Sequence, residues 1–180
     1  QAIRQDAKEE FFGLEDGYES YDRDTYIQKA SKFFSDALLI GKTNKNIDEA
    51  TSEILADTYF GLGLVHSESS SLGAAIDCFS SSLKIRQEKF GEFHPQVAAV
   101  WFSLGSVYFR EGDFKEALKC FDEALKIRKK LITAESTEEE FAEVGNILYK
   151  IGVTLKSLGD FDKSLRCFKQ CLQVYKHGEN

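Results

Sequence analysis

Apolar residues recur through most of this chain at i, i+3, i+4 and i+7, the spacing that gathers them on one face of an α-helix. The pattern predicts helices over residues 24–41, 46–68, 72–90, 95–111, 114–131, 137–158 and 161–176, with a further one near 1–12. The breaks between them carry helix punctuation. Gly112 and Gly159 suit the left-handed position that ends a helix. Asp113, with Glu116 three residues on, suits a capping-box variant that opens the next. Gly91 closes one long helix, and Pro95 suits the first turn of its successor. Residues 13–23 hold two glycines and several carboxylates and read as a loop. The acidic stretch Thr133 to Glu140 reads as an exposed loop and helix start, with Ser136 or Thr137 as the cap.

The helical pattern repeats itself. Trp101, Leu104, Gly105 and Tyr108, followed by Ala117, Phe121 and Ala124, form one unit. Forty-two residues earlier the same columns hold Tyr59, Leu62, Gly63 and His66, then Ala75, Phe79 and Ser82. Forty-seven residues later they hold Leu148, Ile151, Gly152 and Leu155, then Ser164, Phe168 and Cys171. A degenerate copy of the second helix runs through Ala30, Phe34, Ala37 and Leu38. The small residues let two antiparallel helices approach closely, and the large ones fill the space between hairpins. A single hairpin cannot bury its apolar face alone, so the pattern predicts an all-α stack with one continuous interior.

The run W-x₂-L-G-x₂-Y followed by A-x₃-F, complete around Trp101, resembles the tetratricopeptide repeat family. The resemblance is strong over roughly residues 50–176 and weak over 24–42. The long period and the linker Ile85-Arg86-Gln87-Glu88-Lys89-Phe90-Gly91, then His94-Pro95 and Val97-Ala98, look like the repeats of kinesin light chains. The resemblance implies a right-handed superhelical stack of antiparallel helix hairpins, an α-solenoid. Within it the expected divisions are an irregular N-terminal segment (1–23), a degenerate hairpin (24–45) and repeats at about 50–92, 95–134 and 137–178. His94 is expected to be a structural member of the linker.

In the family, the first helix of each pair lines a concave groove that takes up a peptide or helix of another protein. Carried over column by column, the resemblance implies partner contacts at Phe60, Phe102 and Tyr149, at Leu64 and Ser106, at Phe109, Arg110 and Lys156, and at Asn146. The ring column Phe60, Phe102 and Tyr149, joined by Phe109, has two readings: aromatic anchors for a partner, or rings that fill the superhelix or pack on the N-terminal segment. The carboxylate clamp of chaperone-binding members is missing, since its columns hold Phe60, Phe102, Leu64 and Ser106. The paired asparagines of kinesin light chains are missing too; Phe60-Gly61, Phe102-Ser103 and Tyr149-Lys150 stand there.

Composition narrows the partner. The net charge of −7 repels a phosphate backbone, which argues against nucleic acid. The densest basic run, Lys126 to Lys130, matches the dipole at a helix C-terminus. No stretch approaches the roughly 18 apolar residues of a membrane span. Cys78, Cys120 and Cys167 share one repeat column and so are poorly placed to pair. With Cys171 they read as small buried hydrophobes in a reducing compartment, here the cytoplasm. Phosphate loops, HExxH and GxSxG are missing, so neither an enzyme nor a cofactor or metal site is expected. The chain contains no methionine and begins at Gln1, so upstream residues are expected to have been removed, which leaves an organellar address open. The reading is a scaffold that binds a partner in its groove; the rival is a structural subunit docked into a larger complex through its ends or convex face.

Overall fold

The computed structural model describes residues 23–43, 49–133 and 135–178. The expected helix near 1–12 and residues 13–22 of the expected loop lie outside them, while Arg23, read as the end of that loop, opens the first helix. Among the described residues there are seven helices: α1 Arg23–Thr43, α2 Glu49–Glu68, α3 Leu72–Phe90, α4 Pro95–Glu111, α5 Phe114–Leu131, α6 Glu138–Ser157 and α7 Phe161–Gly178. Each packs on its chain neighbours, and α2 also touches α4. The pairs α2/α3, α4/α5 and α6/α7 are hairpins built from the three strong copies of the repeat.

Close approach within each hairpin rests on one glycine and one phenylalanine. A Cβ on Gly63 would sit 2.7 Å from the Phe79 ring, one on Gly105 2.7 Å from Phe121, and one on Gly152 2.6 Å from Phe168. The ring therefore lies directly on the backbone of the facing helix. Phe79 and Phe121 are fully buried there, each stabilising the stack by about 1.5–3 kcal/mol. Phe168, in the last hairpin, is only half-buried. Where the neighbouring small-residue columns hold a polar atom, it finds a backbone acceptor. Ser82 Oγ donates to Ala56 O at 2.8 Å, Ser164 Oγ to Gly152 O at 2.7 Å, and Cys171 Sγ to Gly145 O at 3.2 Å.

Successive hairpins share their interior. Val97, Val100, Leu104 and Val107 of α4 pack against Ala75, Phe79 and Leu83 of α3 and Cys120 and Ile127 of α5. Ala117, Phe121 and Ala124 of α5 form the next cluster with Ile147, Ile151 and Leu155 of α6.

The helix ends follow the punctuation. Gly112 and Gly159 adopt φ of 89° and 83°. The equivalent residue of the first full hairpin is Ser70, held at φ 60°, which costs a β-carbon-bearing residue about 1–2 kcal/mol. Asp113 caps α5 by accepting from Glu116 N, while the Glu116 carboxylate turns to Lys119 instead of closing the box. Thr137 and Glu140 form a complete reciprocal capping box on α6, and Ser136 accepts from Thr133 N in the loop before it. His94 caps α4 through Nδ1 and stacks on Phe90 with ring centroids 4.3 Å apart, so it acts in the linker's architecture.

Candidate partner-binding groove

The first helices α2, α4 and α6 lie side by side and enclose a concavity of about 300 Å³. Its wall is apolar, from Phe60, Ala98, Ala99, Phe102 and Ile147, with Ser103, Arg128, Glu143 and Asn146 supplying polar atoms. Three of the residues that the repeat columns assign to the groove therefore meet there: Phe60, Phe102 and Asn146.

The rings of the aromatic column serve core and groove at once. Each leans on the phenylalanine that keys its own hairpin: Phe60 on Phe79 at 5.4 Å between centroids, Phe102 on Phe121 at 5.6 Å, and Tyr149 on Phe168 at 5.8 Å. Phe60 and Phe102 are half-buried, while Tyr149 is 52% exposed. Phe60 also carries the Arg86 guanidinium 4.7 Å above its ring. The remaining assigned residues sit outside the concavity. Leu64 and Lys156 are exposed. Ser106 is half-buried and donates its hydroxyl to Phe102 O at 3.0 Å. Phe109 packs on Phe114 of its own hairpin, 5.3 Å between centroids. Arg110 is exposed but engaged, donating to Ser67 O, Ser67 Oγ and Ser70 Oγ at the end of the preceding hairpin.

One pairing of columns explains why the concavity lies where it does. Residues 86, 128 and 175 of the second helices face residues 57, 99 and 146 of the first. In the first full hairpin Arg86 Nη2 pairs with Asp57 at 2.8 Å, while Nη1 reaches Gln96 O at 3.2 Å. Arg86 is 5% exposed, so the pair is partly dry. In the last hairpin Tyr175 OH donates to Asn146 Oδ1 at 2.9 Å. In the middle hairpin the facing residue is Ala99, too short to reach anything. Arg128 turns to the next hairpin instead and grips Glu143, at 2.6 Å and 3.0 Å through its two terminal nitrogens. The space that Asp57 and Asn146 fill in their own repeats is left open beside Ala99.

The repeat columns assign Asn146 to the groove but leave Arg128 within the basic run that matches the dipole at the end of α5. The signal that finds it is the forty-two-residue spacing of Arg86 and Arg128, together with the carboxylate at Glu143.

Among the described residues, no helix is long and apolar enough to cross a membrane, and no cluster of three or more His, Cys, Asp or Glu side chains could hold a metal ion. The four cysteines are free thiols, and burial pushes that of Cys120 up to about 11, with Glu116 adding to the effect.

Tetratricopeptide repeat profiles match the chain at residues 54–130 and again at 145–177. The chain belongs to the tetratricopeptide repeat family. Among solved structures, this tetratricopeptide stack resembles BtubC (BKLC) from P. vanneervenii, with a TM-score of 0.78 and 24% identity over 89% of this chain. It spans 61% of the length of that protein. It also resembles the kinesin light chain nearly identical TPR-like repeats of Podosopora anserina, with a TM-score of 0.58 and 12% identity over 97% of this chain and 96% of that one. MamA is similar at a TM-score of 0.53 and 19% identity, over 86% of this chain and 89% of that one. At these identities the likeness establishes the α-solenoid alone. No curated protein matches the tetratricopeptide sequence.

Proposed function

We propose that the chain is a protein-interaction scaffold that takes up a peptide or helix of another protein in the concave groove formed by α2, α4 and α6. The observation that carries this reading is the concavity beside Ala99, walled by Phe60 and Phe102 and edged by the Arg128–Glu143 pair. About 300 Å³ is room for one large partner side chain, with an ion pair at its edge to orient polar atoms of the partner backbone. Phe60 and Phe102 are held by Phe79 and Phe121, so they present rigid surface and lose little entropy on binding.

The test changes the lining of the concavity at two positions. A peptide library displayed on phage is selected against the chain, and the selected peptides are measured against two variants. Ala99→Asp introduces the side chain that the preceding repeat carries at Asp57 and gives Arg128 a local carboxylate. It is expected to keep the melting temperature and weaken binding by about tenfold or more. Phe102→Ala is expected to weaken binding as well. Peptides that bind both variants as well as the parent would place the interaction elsewhere and end the groove reading.

A further inference from the structure

The ion pairs Arg86–Asp57, Lys89–Glu53 and Arg128–Glu143 each join a second helix of a hairpin to a first helix, and they are oriented alike. The cation is dry and the carboxylate is open to water. Side-chain exposures are 6% against 58%, 14% against 44%, and 15% against 45%. The pairs Lys119–Glu116, Lys126–Glu123 and Lys163–Asp160, each three residues apart in the chain, run the other way, with the lysine the more exposed partner. The orientation therefore belongs to the side of the stack that the first helices line.

This orientation decides what the groove can offer. Arg86 spends Nη1 on Gln96 O and Nη2 on Asp57, and Arg128 gives both terminal nitrogens to Glu143. A carboxylate has about four lone-pair positions. Among the described residues Asp57 accepts through Oδ1 alone, and Glu143 meets one terminal nitrogen on each oxygen. Both keep acceptor capacity and negative charge at the surface, while the cations behind them are out of a partner's reach.

The two carboxylates flank the apolar concavity. Asp57 lies one turn before Phe60 on α2, and Glu143 lines the opposite side from α6. The surrounding sequence carries the same sign. Residues 49–58, 95–104 and 138–147, the N-terminal halves of α2, α4 and α6, contain no lysine, arginine or histidine. Glu138 and Glu139 are exposed at that end of α6. The first basic residues on the three helices are His66, Arg110 and Lys150, all further along. The chain's own N-terminal segment suits this surface poorly: residues 1–22 are rich in carboxylates, with only Arg4 and Lys8 basic, and would set like charges together.

We propose that the groove takes a basic segment of a partner protein, in which one large apolar side chain enters the concavity and a lysine or arginine on each side of it pairs with Asp57 and Glu143. This rests on the groove reading and adds the charge of the partner to it.

The peptides selected on phage against the full chain supply the test. They are expected to be enriched in lysine and arginine flanking an apolar residue. Changing both flanking basic residues of a selected peptide to glutamate is expected to weaken binding by at least about tenfold, a measurement that leaves the protein untouched. Asp57→Asn and Glu143→Gln keep an acceptor for their arginines, and each is expected to weaken binding about threefold at low salt, with the difference shrinking as salt rises. Melting temperatures of both variants, taken alongside, identify any loss that comes from unfolding. Peptides that lose affinity with Phe102→Ala but show no excess of basic residues, or ignore both carboxylate variants, overturn the basic partner and leave the groove standing. Peptides indifferent to Phe102→Ala overturn both. Basic peptides that bind equally well after their apolar residue is changed to serine show general attraction to an acidic chain and overturn the proposal. Saturable binding of a synthetic peptide of residues 1–22 that Phe102→Ala weakens assigns the groove to the chain's own segment and likewise overturns it.

Discussion

Replacing Gly105 by alanine sets two effects of opposite sign against each other. In an open helix interior, glycine to alanine stabilises by about 1 kcal/mol, because the unfolded chain loses freedom. At Gly105 the added methyl lies 2.7 Å from two atoms of the Phe121 ring, about 1 Å inside ordinary contact. Phe121 is fully buried among Ala117, Ala124, Ile147 and Ile151 and has nowhere to withdraw. Overpacking of this kind costs about 1–3 kcal/mol and here outweighs the backbone gain. A net loss of about 1–2 kcal/mol is expected, or roughly 2–8 °C in melting temperature for a chain of this size. Two further glycines calibrate the result. Gly73→Ala, with nothing within 4 Å, is expected to stabilise by about 0.5–1 kcal/mol. Gly152→Ala meets Phe168 at 2.6 Å, but that ring is half-exposed and can swing outward, so a change near zero is expected. Urea unfolding followed by circular dichroism measures all three. A Gly105→Ala protein as stable as the parent, or three variants that shift alike, refutes the claim that a locked ring sets the helix spacing.

Other perturbations test separate parts of the structure. Ser70→Gly relieves a left-handed residue and is expected to raise stability by about 1 kcal/mol in the same denaturation assay. Asp57→Ala leaves the buried Arg86 guanidinium without its carboxylate and is expected to cost about 1–2 kcal/mol, less than a fully buried pair because Asp57 itself is open to water. A double-mutant cycle with Arg86→Leu should return a coupling of that order. The Cys120 thiol titrates at about 11 in the fold against 9.0 for the ordinary group. Between those values the folded chain keeps a proton that the unfolded chain has lost. Stability is therefore expected to fall as pH rises above about 9, and Cys120→Ala should flatten that decline in melting scans.

The hairpins were legible because their determinants are local and repeated. The Gly63/Gly105/Gly152 and Phe79/Phe121/Phe168 columns declare both partners of each close contact, and Gly91 and Pro95 mark where one helix gives way to the next. Ser70 was not legible as a left-handed residue, since nothing in its type announces a positive φ; only its alignment with Gly112 and Gly159 does. The candidate groove was half legible. Columns identify which residues face inward, and so found Phe60, Phe102 and Asn146. They do not say which inward residue is already engaged. Arg110 is held by Ser67 and Ser70, and Arg128, facing Ala99, pairs with Glu143 of the next hairpin at the edge of the concavity, a pairwise fact that no single column contains.

The half-exposed ring of Phe168 has a consequence for how the molecule comes apart. Stability in a stack of repeats is a sum of units and their neighbour contacts, and among the described residues no helix packs on the outer face of α7. Amide protons of α6 and α7 should accordingly exchange with deuterated solvent sooner than those of α4 and α5, with opening beginning at the C-terminal margin and travelling inward. A ligand seated on that margin would slow exchange across the terminal hairpin, so that occupancy could be read from protection at residues it never touches.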